Sequence, residues 1–134
     1  MNYRATFNTL IRSLIDNAEY GKALEVINKS LELIPDKSIM YDHFSVQIVS
    51  FLIELNKKAN MKTEEKANEI AEITSKRANE ILNYYFDNNI NNKYEIQRNL
   101  VSLNTLARAY NNHSNKELSK KYKDLFEVNY GKTP

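Results

Sequence analysis

The stretch Phe7–Pro35, FNTLIRSLIDNAEYGKALEVINKSLELIP, decides the fold. Up to Asn17 the apolar residues Phe7, Leu10, Ile11, Leu14 and Ile15 recur at three- and four-residue spacings. This gathers them on one face of a helix and does not fit the two-residue period of a strand. After the turn Asn17-Ala18-Glu19, the residues Ala23, Ile27, Ser30 and Leu31 repeat the helical spacing. Pro35 then stops it, because proline has no N–H to donate and disfavours helical geometry in the residue before it. Two helices joined by so short a turn pack as antiparallel neighbours. The segment predicts a hairpin, Tyr3–Asn17 against a second helix ending near Leu33.

The same period continues outward. A third helix starts near Ser38 and carries Tyr41, Phe44, Ile48, Phe51, Leu52 and Leu55. A fourth spans about Thr63 to Phe86, with Ala67, Ile70, Ala71, Thr74, Ala78, Ile81, Leu82 and Tyr85 in one stripe whose small residues permit close helix approach. Thr63 is placed to cap it, and Glu64 and Glu65 complement the helix dipole, although Lys66 stands where a capping-box glutamate would. The polar run Asp87–Asn92 reads as a loop. A fifth helix covers Lys93–Asn112, and a sixth follows Asn115 through Leu118, Tyr122, Leu125 and Phe126 to about Tyr130. The expectation is one all-α domain over residues 1–134, a stack of three antiparallel hairpins with about six helices.

Composition narrows the function. The chain has 134 residues, 19 Lys+Arg against 17 Asp+Glu, no Cys, no Trp, and two each of Gly and Pro. The length suits a single domain. Without cysteine there is no disulfide scaffold, thiolate metal site or cysteine nucleophile, which fits a reducing cytosol. His43 and His113 are far apart and anchor no metal-ligand spacing. With glycine only at Gly21 and Gly131, no phosphate loop, dinucleotide fingerprint or nucleophile elbow can form. Asp87-x-Asn89-x-Asn91 opens like a calcium loop, but Asn92 occupies the glycine position and Arg98 that of the bidentate glutamate. No catalytic residue, metal or cofactor is expected, and the chain does not read as an enzyme. Lys57, Lys58, Lys62, Lys66, Lys76 and Arg77 are interspersed with Glu54, Glu64, Glu65, Glu69 and Glu72. That mixture reads as helical ion pairing, with nucleic acid not predicted as a partner. The longest apolar run, Ile48–Ile53, is too short for a membrane span, and the N-terminus lacks signal-peptide features, so a cytoplasmic protein is expected. Its 19 asparagines suit an AT-rich bacterium or phage.

A search for repeats returns to the first hairpin. Phe7 and Leu10 on the first helix, then Tyr20, Ala23, Ile27 and Ser30, then Leu31-Glu32-Leu33-Ile34-Pro35, follow the spacing of a 34-residue tetratricopeptide repeat, with Ile11 in place of the family's small residue. Tyr41 and Phe44 recur 34 residues after Phe7 and Leu10, followed by Ser45 at the small position. The register then breaks at Asn56–Lys62. Leu103, Leu106, Ala107, Tyr110, Ser119, Phe126 and Gly131 recover part of it. The chain therefore resembles a tetratricopeptide-repeat domain with irregular second and third units. It also resembles the sensor domains of the Rgg- and PlcR-type peptide-pheromone regulators of low-GC bacteria.

The resemblance implies a right-handed stack that binds a peptide or protein partner on a concave face lined by the first helix of each hairpin, with a role in bacterial regulation. Its lining positions fall on Asn8, Arg12 and Ile15 of the first helix, Asp42, Val46 and Val49 of the third, and Asn104, Arg108 and Asn111 of the fifth. Ile15 also belongs to the core stripe. Asparagines suit a peptide backbone, and Arg12 and Arg108 suit a carboxylate. The alternative is homo-oligomerisation or an adaptor role. The last helix shows no obvious polar cap, so Leu118, Tyr122 and Phe126 are candidate interface residues, as is Tyr84, because Tyr84-Tyr85-Phe86 cannot all face one core.

Overall fold

A computed structural model describes residues 3–33, 43–113 and 115–134. Among the described residues there are six α-helices and no strand: α1 (Tyr3–Asp16), α2 (Tyr20–Leu33), α3 (His43–Ala59), α4 (Glu64–Asp87), α5 (Lys93–Asn112) and α6 (Lys116–Tyr130). Consecutive helices pair as three hairpins. α1, α3 and α5 lie side by side in one layer, and α2, α4 and α6 pack on them from the other, with α2 also meeting α3 and α4 meeting both α5 and α6. The all-α stack expected from periodicity is the architecture observed. Ser38, Tyr41 and Asp42 lie outside the described residues, as do the side chains of His43 and Phe44.

The ends follow local chemistry. After α1 the chain turns through Ala18 at φ 57°, where the Glu19 amide donates to Leu14 O at 2.8 Å and the Ala18 amide to Ile15 O at 3.0 Å. α4 ends the same way through Asn89 at φ 55°, with Ile90 N donating to Tyr85 O. Both are Schellman closures, which satisfy the last carbonyls by putting one residue in the left-handed region. Asn92 and Asn115 cap α5 and α6 by accepting from the Glu95 and Leu118 amides. Thr63 precedes α4 but does not cap it with its side chain, because its buried hydroxyl donates to the Leu52 carbonyl of α3.

The core has two parts. The larger joins Ile11, Ile15, Ala23 and Ile27 of the first hairpin to Val46, Val49, Leu52 and Leu55 of α3, Ile70 and Ala71 of α4, and Leu106, Tyr110 and Tyr122. The smaller holds Ala78, Leu82, Ile96, Leu100 and Leu103, and Leu125 of α6 packs on both. Small residues sit where helices approach closely: Ala23, Ala67 and Ala71 are fully buried, and Ser119 comes near enough to α5 to donate to the Ala107 carbonyl at 2.8 Å. One expected core position fails. Ile11 is fully buried, whereas Leu10 is 46% exposed, since it lies on the side of α1 opposite Asn8 and Arg12, which reach α3.

Candidate functional site

The face of the first layer is built mainly from links between α1 and α3. Asn8, only 6% exposed, donates from Nδ2 to Gln47 Oε1 at 2.9 Å. One turn on, Arg12 bridges Glu54 Oε2 through Nη1 at 3.0 Å and Asp16 Oδ1 through Nη2 at 2.8 Å, with its guanidinium 5.6 Å from the Phe51 ring centroid. Lys58 adds a second cation to Glu54 at 3.1 Å. Burial pushes the Glu54 carboxyl up, and the hydrogen bonds from Arg12 and Lys58 more than offset it, holding the group below the usual carboxylate range. The hydrogen bond to Glu54 raises Arg12 in turn.

These contacts redistribute the residues expected to line a groove. Asn8 and Arg12 join α1 to α3, and Arg12 is committed to carboxylates of its own chain. Ile15, Val46 and Val49 are 2%, 0% and 0% exposed, so they are core and not lining residues. The correction has a physical cause: α3 is covered by α1, α2, α4 and α5, so positions that would face outward on a peripheral helix are buried here. Asp42 lies outside the described residues. On α5, Ser102, Leu106 and Ala109 are buried in one stripe, and Asn104 and Asn111 sit about half a turn around from it. Arg108 is exposed and makes no ion pair among the described residues. The nine positions therefore do not converge.

Of the candidate interface residues, Tyr84 is the most exposed, at 59%, with its ring 6.0 Å from that of Tyr85. Tyr122 is 1% exposed and lies 5.7 Å from the Tyr110 ring, while Leu118 and Phe126 pack on the core of their own chain. The outer side of α6 carries the ion pairs Lys120–Asp124 at 2.7 Å and Lys123–Glu127 at 4.0 Å, with Val128 and Tyr130 exposed toward its end.

Two depressions among the described residues bear on function. One, of about 510 Å³, is mostly apolar and runs along the side of α5 turned away from Ile96, Leu100 and Leu103, between Lys93, Tyr94, Gln97, Arg98 and Val101. Tyr94 is 72% exposed. The signal was present in the sequence: Tyr94 and Val101 are seven residues apart, on one face, and off the core stripe. The other, of about 390 Å³, lies where the end of α3, the start of α4, the end of α5 and the start of α6 meet, and is lined by Ile53, Asn56, Lys57, Glu64, Tyr110, His113, Asn115 and Lys116. Burial lowers the His113 pKa and raises that of Tyr110, whose hydroxyl donates to Asn68 Oδ1 at 2.7 Å.

Among the described residues no group of three His, Asp or Glu side chains is gathered as a metal site, and no helix is long and apolar enough to cross a membrane. No family model matches the chain, and comparison with curated proteins and with solved structures returns no match.

Proposed function

We propose that this chain is a non-enzymatic binding module that takes an extended segment of a peptide or partner protein across the layer of α1, α3 and α5, in keeping with its resemblance to cytoplasmic tetratricopeptide-repeat domains and peptide-pheromone sensors. The observation that carries the reading is the depression on α5. An exposed Tyr94 and Val101, one turn either side of Gln97, offer apolar contact and an amide in the arrangement an extended chain uses, with alternate side chains inward and a backbone to be satisfied. Lys93 at its rim favours a segment carrying acidic residues, while Arg98 beside it pairs with Glu95 at 3.6 Å. On this reading the centre of the groove is the outer stripe of α5, and Arg12 is a strut between α1 and α3 and not a lining residue.

Self-association is the weaker reading, because Tyr122 is buried and Leu118 and Phe126 pack, partly buried, on the core of their own chain, which leaves less of the apolar surface that motivated it. The test is selection of displayed linear peptides on the wild-type protein, followed by direct affinity measurement. Selected peptides should share a motif, and binding should fall by about tenfold or more in Tyr94→Ala and Val101→Asp, the loss typical of an anchor contact. Peptides whose affinity is unchanged in both variants would remove α5 as the site.

A further inference from the structure

We propose that the depression at the junction of α3, α4, α5 and α6 is a binding site for a small organic monocarboxylate, separate from and independent of the peptide-binding face. The cations come first. Arg12, Lys22, Lys58, Lys66, Lys120, Lys121 and Lys123 all pair with carboxylates of the chain. Lys57 and Lys116 make no ion pair among the described residues, yet they come from different helices and line the same cavity of about 390 Å³. Two unneutralised ammonium groups facing one concavity raise the local potential and favour an anion.

The polar groups between them have hydrogen-bonding capacity left over. His113 Nδ1 is buried and has no hydrogen-bond partner among the described residues. Asn115 uses its oxygen to cap α6 and keeps its amide N–H groups unspent at the cavity wall. Thr63 leaves the first amides of α4 without a side-chain cap beside Glu64. A carboxylate supplies acceptors for the Asn115 N–H groups and, in the tautomer that carries its proton on Nδ1, for His113, and pairing such groups recovers the cost of leaving them unmet.

The wall also fixes the charge of the guest. Glu64 faces the cavity with Lys57 and Lys116, and burial keeps His113 toward its neutral form, so one net positive charge is available. Glu54, Lys57 and Lys58 of α3 act on His113 as well, with opposing signs. A single negative charge balances this wall, whereas a phosphate dianion would leave one charge uncompensated next to the Glu64 carboxylate. Ile53 supplies an apolar patch for a short alkyl chain, and the volume matches the lower end of small-molecule pockets.

The experiment is a two-dimensional amide NMR titration of the whole chain with butyrate, ionic strength held constant with chloride, and inorganic phosphate in parallel. Saturable shifts centred on Lys57, Glu64, His113 and Lys116, with Kd on the order of 1 mM, are expected. The Lys57→Gln/Lys116→Gln double variant should weaken butyrate by about tenfold. Glu64→Gln should tighten it roughly threefold and admit phosphate. Shifts that stay linear, an unchanged Kd in the double variant, or phosphate binding more tightly than butyrate to the wild type would each overturn the assignment. The wild-type competition and the Glu64→Gln result stand even if the double variant fails to fold.

Discussion

At the scale of single residues, the most consequential side chain is Glu54, 15% exposed and held by Arg12 from α1 and Lys58 from its own helix. A half-buried carboxylate with two cations is stabilising only while both charges stay in place, and removing one partner leaves a desolvated charge uncompensated. Arg12→Ala is therefore expected to lower stability by about 1–2 kcal/mol in denaturant titration, and the Arg12→Ala/Glu54→Gln double variant to recover part of that loss. The pH dependence follows from the direction of the Glu54 shift. A carboxyl whose folded pKa is depressed contributes stability that is present above its unfolded value and is lost as pH falls through the folded value. Between pH 5 and 3, to the order of magnitude set by carboxylate values, the wild type should lose more stability than Glu54→Gln. Parallel curves would show that the pair carries no linkage.

At the scale of elements, the turns carry the clearest prediction. Ala18 closes α1 at φ 57°, a conformation that costs a residue with a Cβ roughly 1–2 kcal/mol. Ala18→Gly removes that strain and adds backbone entropy to the unfolded chain, two effects of opposite sign, so a net gain of about 0.5 kcal/mol and a melting midpoint a few degrees higher are expected. A lower midpoint would mean that the alanine methyl packs better than its conformation suggests. Helix positions were legible because each boundary has a local cause: the break before Tyr20, the loop before Lys93, and the asparagine caps at Asn92 and Asn115. Contacts between helices were not. Asn8 meets Gln47 and Arg12 meets Glu54 across about forty residues of chain, and no spacing rule encodes such pairs. The groove register failed for a related reason. A helix packed on most of its sides loses the contrast between apolar and polar faces, so nothing in the α3 pattern distinguished Val46 and Val49 from lining residues. Tyr94 and Val101 were readable as apolar residues off the core stripe, but large exposed side chains are common enough that one alone marks nothing.

At the scale of the whole molecule, the stack is a chain of neighbours. The first hairpin meets α3 and touches none of α4, α5 and α6 among the described residues, so whatever couples the two ends passes through α3. The far end has a core of its own, Ala78, Leu82, Ile96, Leu100 and Leu103, joined to the main core through Leu125. In a stack of this kind stability is approximately a sum of unit and interface terms, and opening need not be global. Leu82→Ala, at a fully buried position, should cost about 2–5 kcal/mol by leaving a cavity in the smaller cluster. Native-state hydrogen exchange should register that cost in the second half of α4, in α5 and in α6, with the slowest amides of α1 and α2 unchanged because their opening does not disturb the smaller cluster. An equal loss in all six helices would show instead that the bridge at Leu125 and the packing around α3 bind the chain into a single cooperative unit.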